Sequence, residues 1–130
     1  TGEDLQRLVN LDSLVITESS GITDLNPLKE FARLKHLDLE KLNVTDLSPL
    51  KDMITLVDLT ISGGPVKDFS AIPSLYNLES LDLSGTALND LEFIIQLPNL
   101  QRLSIQATAI SDVKPLTLLK KLEYLDISYT

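Results

Sequence analysis

Leu56-Val57-Asp58-Leu59-Thr60-Ile61 decides the fold. The same frame returns 22 residues later as Leu78-Glu79-Ser80-Leu81-Asp82-Leu83 and again as Leu100-Gln101-Arg102-Leu103-Ser104-Ile105. Leu34-Lys35-His36-Leu37-Asp38-Leu39 precedes it, and Leu122-Glu123-Tyr124-Leu125-Asp126-Ile127 follows. Asp24, Asp46, Asp68, Asp90 and Asp112 keep the same 22-residue step. A fixed period in the twenties marks a solenoid, in which each unit buries its apolar face only against its neighbours.

Counted from the first leucine of the frame, residues 1–130 read as a single repeat domain. Five complete units start near 11, 34, 56, 78 and 100, with partial units at 1–10 and 122–130. The first interval is 23 residues, the extra one falling in Glu18-Ser19-Ser20-Gly21. Because both ends fall in mid-repeat, the expectation is a piece of a longer chain.

Each unit holds two local signals. The inner Leu-x-Leu alternates with period two, as in a strand with one buried face. Leu37 and Leu39, Leu59 and Ile61, and Leu81 and Leu83 should point inward. The second half, as in Leu47, Leu50 and Met53, switches to three-residue spacing and suits a turn of 3₁₀ or short α-helix. Ser48-Pro49 and Asn26-Pro27 read as a capping side chain followed by proline at the first helical position. Ser70-Ala71 reads as the same cap without the proline. The recurrent aspartates precede these turns, where a carboxylate can accept unpaired backbone N–H groups, so they read as scaffold and not as metal ligands. Stacked strands ~4.8 Å apart sit closer than helical turns can. The sheet should therefore lie on the concave side.

Composition narrows the function. The chain carries a formal charge of −8, which argues against nucleic acid or an anionic membrane as partner. It has no cysteine, which excludes disulfides, thiolate metal sites and a cysteine nucleophile. Apolar runs are too short to insert in a membrane.

The frame Leu-x-x-Leu-x-Leu, an apolar residue four or five positions on, then Asp-(Leu/Phe/Val)-x-(Pro/x)-(Leu/Ile), resembles a leucine-rich repeat. Val44-Thr45-Asp46-Leu47-Ser48-Pro49-Leu50 and Ile110-Ser111-Asp112-Val113-Lys114-Pro115-Leu116 are similar to the 22-residue units of bacterial internalins. They also resemble those of the leucine-rich regulatory subunit of protein phosphatase type 1. The resemblance implies an α/β solenoid, a curved right-handed coil with a parallel sheet on the concave face and short 3₁₀ or α segments on the convex face. It also implies an asparagine ladder at the ninth position of each unit. Here that position holds Leu42, Gly64, Thr86, Thr108 and Thr130. Threonine can replace part of such a ladder, whereas Leu42 and Gly64 cannot, so irregular turns are expected near 40–44 and 62–66.

The outward side chains of the strands are the candidate binding residues. The third-position column runs Ser13, His36, Asp58, Ser80, Arg102, Tyr124; the fifth runs Val15, Asp38, Thr60, Asp82, Ser104, Asp126; and the seventh contains Glu40. Counting the flanking second and eighth positions, nine acids face three bases. The partner-binding set is His36, Asp38, Glu40, Asp58, Asp82, Arg102, Tyr124 and Asp126. Arg102 and Tyr124 are of the types enriched at binding hot spots. His36, between Asp38 and Asp58, reads as a surface contact. A Ser-His-Asp triad is not expected on an open sheet without an oxyanion hole. Carboxylates spaced by whole strands make no calcium cage, so neither metal nor cofactor is expected.

These readings point to a protein-binding module and not an enzyme. Its partner would be another protein, with a basic surface, held on the concave face of a secreted or cell-surface bacterial protein. The alternatives are an intracellular regulatory subunit of the phosphatase-targeting kind, or a structural spacer in a longer array. Uncapped leucines at Leu5, Leu8 and Leu11, and at Leu122, Leu125 and Ile127, would favour end-to-end self-association. Asn43-Val44-Thr45 matches a glycosylation acceptor.

Overall fold

The computed structural model describes residues 8–130, so the expectation for Leu5 lies outside it. Six strands form one parallel sheet in chain order: β1 Ser13–Thr17, β2 His36–Glu40, β3 Asp58–Ser62, β4 Ser80–Asp82, β5 Arg102–Ser104 and β6 Tyr124–Asp126. The register reproduces the sequence period. Leu59 pairs with Leu81 and Leu81 with Leu103, 22 residues apart each time, whereas Ser13 pairs with His36 at a step of 23. The chain is a solenoid with the sheet on its concave face, the architecture that the leucine-rich-repeat resemblance implies.

The other side of each turn is a 3₁₀ segment: Asn26–Glu30, Ser48–Leu50, Ile72–Ser74, Glu92–Gln96 and Lys114–Leu118. The three-residue leucine spacing explains this choice. Leu50 N–H donates to Leu47 O at 2.9 Å, Met53 to Leu50 O at 2.9 Å and Leu56 to Met53 O at 3.1 Å. Bonds of that span eclipse residues i and i+3, so Leu47, Leu50, Met53 and Leu56 all turn inward and are buried. They meet Leu59 and Ile61 from the sheet in one continuous core. Each fully buried side chain of this kind contributes about 1.5–3 kcal/mol.

The aspartate column does what a scaffold needs. Oδ1 of Asp24, Asp46, Asp68, Asp90 and Asp112 accepts the backbone N–H two residues on, at 2.8, 2.8, 2.9, 2.6 and 2.9 Å. The structure corrects the capping assignment. Asn26 and Ser48 are the first residues of their segments, not the caps, which are Leu25 and Leu47, and their side chains donate to the aspartates two residues earlier. Ser48 Oγ donates back to Asp46 Oδ2 at 3.0 Å. In the third unit the segment slides to Ile72–Ser74, so Pro73 supplies the proline that Ser70-Ala71 was read as lacking.

The turn after each strand also departs from expectation. The eighth position is left-handed in all six units: Glu18, Lys41, Gly63, Gly85, Ala107 and Tyr129 have φ of 52°, 51°, 65°, 66°, 50° and 62°. The 40–44 turn is therefore regular, and Leu42 simply joins the core. Irregularity is confined to Gly64, whose φ of 86° adds a second left-handed residue. Thr86, Thr108 and Thr130 do not ladder between units. Each hydroxyl donates to the carbonyl three residues back within its own turn, at 2.7, 2.7 and 2.8 Å. The inter-unit polar column instead occupies the residue before the first leucine. Asn77 Nδ2 donates to Ile54 O at 2.7 Å and Asn99 Nδ2 to Tyr76 O at 3.2 Å.

Candidate partner-binding face

From the second to the fifth unit the strands place third-, fifth- and seventh-position side chains outward because the fourth and sixth are leucine or isoleucine held in the core. All eight predicted residues stand on this face. The structure divides them, however, into groups already engaged and groups left open.

His36 Nδ1 hydrogen-bonds Asp58 Oδ2, a contact across neighbouring strands at the surface. Ser13, His36 and Asp58 thus line up in one column. The N–H groups of Lys35 and His36 both donate to Asp12 O on the neighbouring unit. Among the described residues, Ser13 makes no hydrogen bond to the ring.

Asp82 and Asp126 are tied to their own strand ends. Their Oδ1 atoms accept the N–H of Ser84 at 2.8 Å and of Ser128 at 2.9 Å. Asp126 also takes Gln106 Nε2 at 2.6 Å and Ser128 Oγ at 2.7 Å. Hydrogen bonds from the Ser128 hydroxyl and amide hold its carboxyl below the usual aspartate range. Asp38 is the opposite case. Its Oδ1 is buried without a hydrogen-bond partner. Burial first, then Glu40 and Asp82, pushes its carboxyl above the usual range. Thus the acidic column seen in the sequence is not uniform.

Arg102 lies with its guanidinium carbon 5.7 Å from the centroid of the Tyr124 ring, a cation–π contact. Its cross-strand neighbours are Ser80 and Tyr124, so no carboxylate stands opposite it. Val15, 62% accessible, is an exposed apolar residue on the same face, outside the set singled out by charge. The signal was available, since valine breaks an otherwise polar column.

Beyond this face, Tyr129 is 89% accessible and does not cover the C-terminal end. Leu8, Leu125 and Ile127 are exposed as well. Asn43 Nδ2, the atom that glycosylation would modify, donates to Ser20 O at 3.1 Å. No group of three or more His, Asp or Glu residues suited to a metal ion occurs among the described residues. No helix there is long and apolar enough to cross a membrane.

A family model described as Leucine Rich repeats (2 copies) matches residues 76–117. Among solved structures, internalin C2 of Listeria monocytogenes is 29% identical, over 95% of this chain and 55% of that one, with a TM-score of 0.80. A leucine-rich-repeat protein of Leptospira interrogans is 23% identical over 97% of this chain and 33% of its own, with a TM-score of 0.85. The functional domain of InlJ from Listeria monocytogenes, which includes a cysteine ladder, is 22% identical, with coverage of 92% and 30% and a TM-score of 0.68. The last two likenesses are to the fold. The chain spans about half the length of the first of these structures and about a third of the others. No curated protein sequence matches it significantly. Residues 76–117 thus match leucine-rich repeats, the chain as a whole is similar in fold to internalin C2, and this fold is commonly a protein-interaction module.

Proposed function

We propose that this chain is a protein-binding module of a bacterial surface or secreted protein, taking its partner on the concave sheet. The observation that carries the reading is the contrast between the two sides of the coil. On the convex side, the aspartate carboxylates are bound to backbone N–H groups in every unit. On the concave side, charged side chains stand on a hydrogen-bonded sheet with Asp38 and Arg102 unpaired among the described residues. A rigid sheet presents such groups at little entropic cost on binding. The likeness to internalin repeats supports the surface or secreted setting. The excess of acids around the sheet favours a partner with basic character and faster association at low salt.

A photo-crosslinking side chain at Thr60 on the sheet, or at Ile95 on the convex side, tests this. The expected result is a specific adduct from position 60, competed by unmodified protein and weakened by Asp38→Lys and by added salt. An adduct from position 95 alone would refute the concave-face reading. No competable adduct from either position would favour a structural spacer within a longer array.

A further inference from the structure

We infer that the concave face is shaped for a bipolar surface, one presenting a cationic side chain over Asp38 and a carboxylate over Arg102. The inference rests on the concave-face reading above and specifies the partner's chemistry.

Two hollows meet at Thr60. One, of about 210 Å³, is lined by Val15, His36, Asp38 and Asp58 among others. The second, of about 250 Å³, is lined by Ser80, Asp82, Arg102, Gln106 and Tyr124 among others. Their charges are unspent in opposite senses. In the first, His36 is engaged by Asp58, which leaves Asp38 with no cation partner among the described residues and with Glu40 and Asp82 repelling it. A lysine or arginine from a partner supplies what that hollow lacks. In the second, the nearby acids are already occupied, Asp82 by Ser84 N–H and Asp126 by Ser128 and Gln106. The Arg102 fork therefore keeps its N–H donors for an outside acceptor, while Tyr124 holds its plane. A planar guanidinium with five donors matches a carboxylate bidentately.

The spacing follows from the register. β2 and β5 are three strand intervals apart, about 14 Å at ~4.8 Å each, and Arg102 lies two residues before Ser104, the register partner of Asp38, so the two charges are about 16 Å apart on the diagonal. An extended chain covers most of that in four residues at ~3.4 Å apiece, its long end side chains span the rest, and residues i and i+4 share a face. A Lys-x-x-x-Glu segment lying across the strands therefore meets both hollows.

The test uses an acetylated peptide containing Lys-Ser-Thr-Ser-Glu, with Lys-Glu-Ser-Thr-Ser and Lys-Ser-Thr-Ser-Gln as controls. Binding is followed by amide shifts of the ¹⁵N-labelled protein up to about millimolar peptide, where weak contacts saturate. The bipolar peptide should shift Asp38, Thr60 and Arg102 together and bind about fivefold more tightly than either control. Asp38→Lys and Arg102→Glu should each abolish that preference. The double variant should restore it, with the peptide running the other way. Circular dichroism verifies folding, and Arg102→Gln serves if Arg102→Glu does not fold. Equal binding of the controls, or no restoration in the double variant, overturns the bipolar inference while leaving concave-face binding intact. Shifts confined to the convex segments overturn both, and no saturable shift from any peptide overturns the bipolar inference.

Discussion

Asp38 and Asp82 stand in one outward column two strands apart, with Thr60 between them, yet their carboxylates have opposite fates. Asp82 accepts the N–H of Ser84 at 2.8 Å, whereas Asp38 holds one oxygen buried and unpartnered. Two residues that look equivalent in the sequence therefore pull on stability in different directions.

Asp38 has its carboxyl raised by burial and by the neighbouring acids Glu40 and Asp82. A raised carboxylate favours the fold when protonated, so its contribution is present at low pH and is lost as pH rises through its folded value. At neutral pH it costs stability. Asp38→Asn should raise Tm by a few degrees at pH 7 and leave it unchanged near pH 3. Asp82→Asn, which keeps an acceptor for Ser84 N–H, should stay near neutral, while Asp82→Lys should lower Tm. Calorimetry across pH checks all three, and equal responses at 38 and 82 would contradict the assignment.

Asp46, Asp68 and Asp126 run the other way. Hydrogen bonds from the Ser48 amide and then its hydroxyl lower the Asp46 carboxyl below the ordinary aspartate range, and those from the hydroxyls and then the amides of Ser70 and Ser128 do the same for Asp68 and Asp126. Their contribution is present above the unfolded value and is lost as pH falls through the lowered folded values. Acid unfolding should therefore begin as pH drops below about 4, where free aspartate titrates. The triple Asn variant should show a flatter acid limb in urea titrations.

Asp90 Oδ1 accepts Glu92 N–H at 2.6 Å in the turn that enters Glu92–Gln96. Asp90→Ala should cost about 1 kcal/mol, and Asp90→Asn less, since its carbonyl oxygen can still accept. By contrast, Leu81→Ala removes a side chain that is 1% exposed and should cost about 2–5 kcal/mol. Urea midpoints separate the two. A neutral Asp90→Ala that abolished partner binding would contradict the scaffold role of that column.

Gly64 and Gly85 are both left-handed, but only one is sterically locked. A Cβ at Gly64 would meet Leu42 O at 2.5 Å, whereas at Gly85 the nearest atom is Gly63 N at 3.6 Å. Lys41 and Ala107 already occupy the position of Gly85 in their own units. Gly85→Ala should therefore cost about 1–2 kcal/mol from backbone strain alone. Gly64→Ala should cost more, because Leu42 must move as well. Thermal melts of the two variants give the order directly.

Much of this protein was legible in its sequence. The 22-residue step became the strand register, the Leu-x-Leu alternation divided core from surface, and three-residue leucine spacing became 3₁₀ turns. The aspartate before each turn fixed its own amide bond, because donor and acceptor lie two residues apart. Relations between units were another matter. His36 meets Asp58, Asn77 reaches Ile54 O, and the eighth position is left-handed whether filled by lysine, alanine or glycine. Asp38 stays unpartnered while Asp126 collects Gln106. Periodicity says which side chains share a column, since one buried face forces the register. Which of them bond depends on rotamer, turn geometry and burial across neighbouring coils. Those quantities exist only once the units are stacked, and they decide which charges on the concave face remain open to a partner.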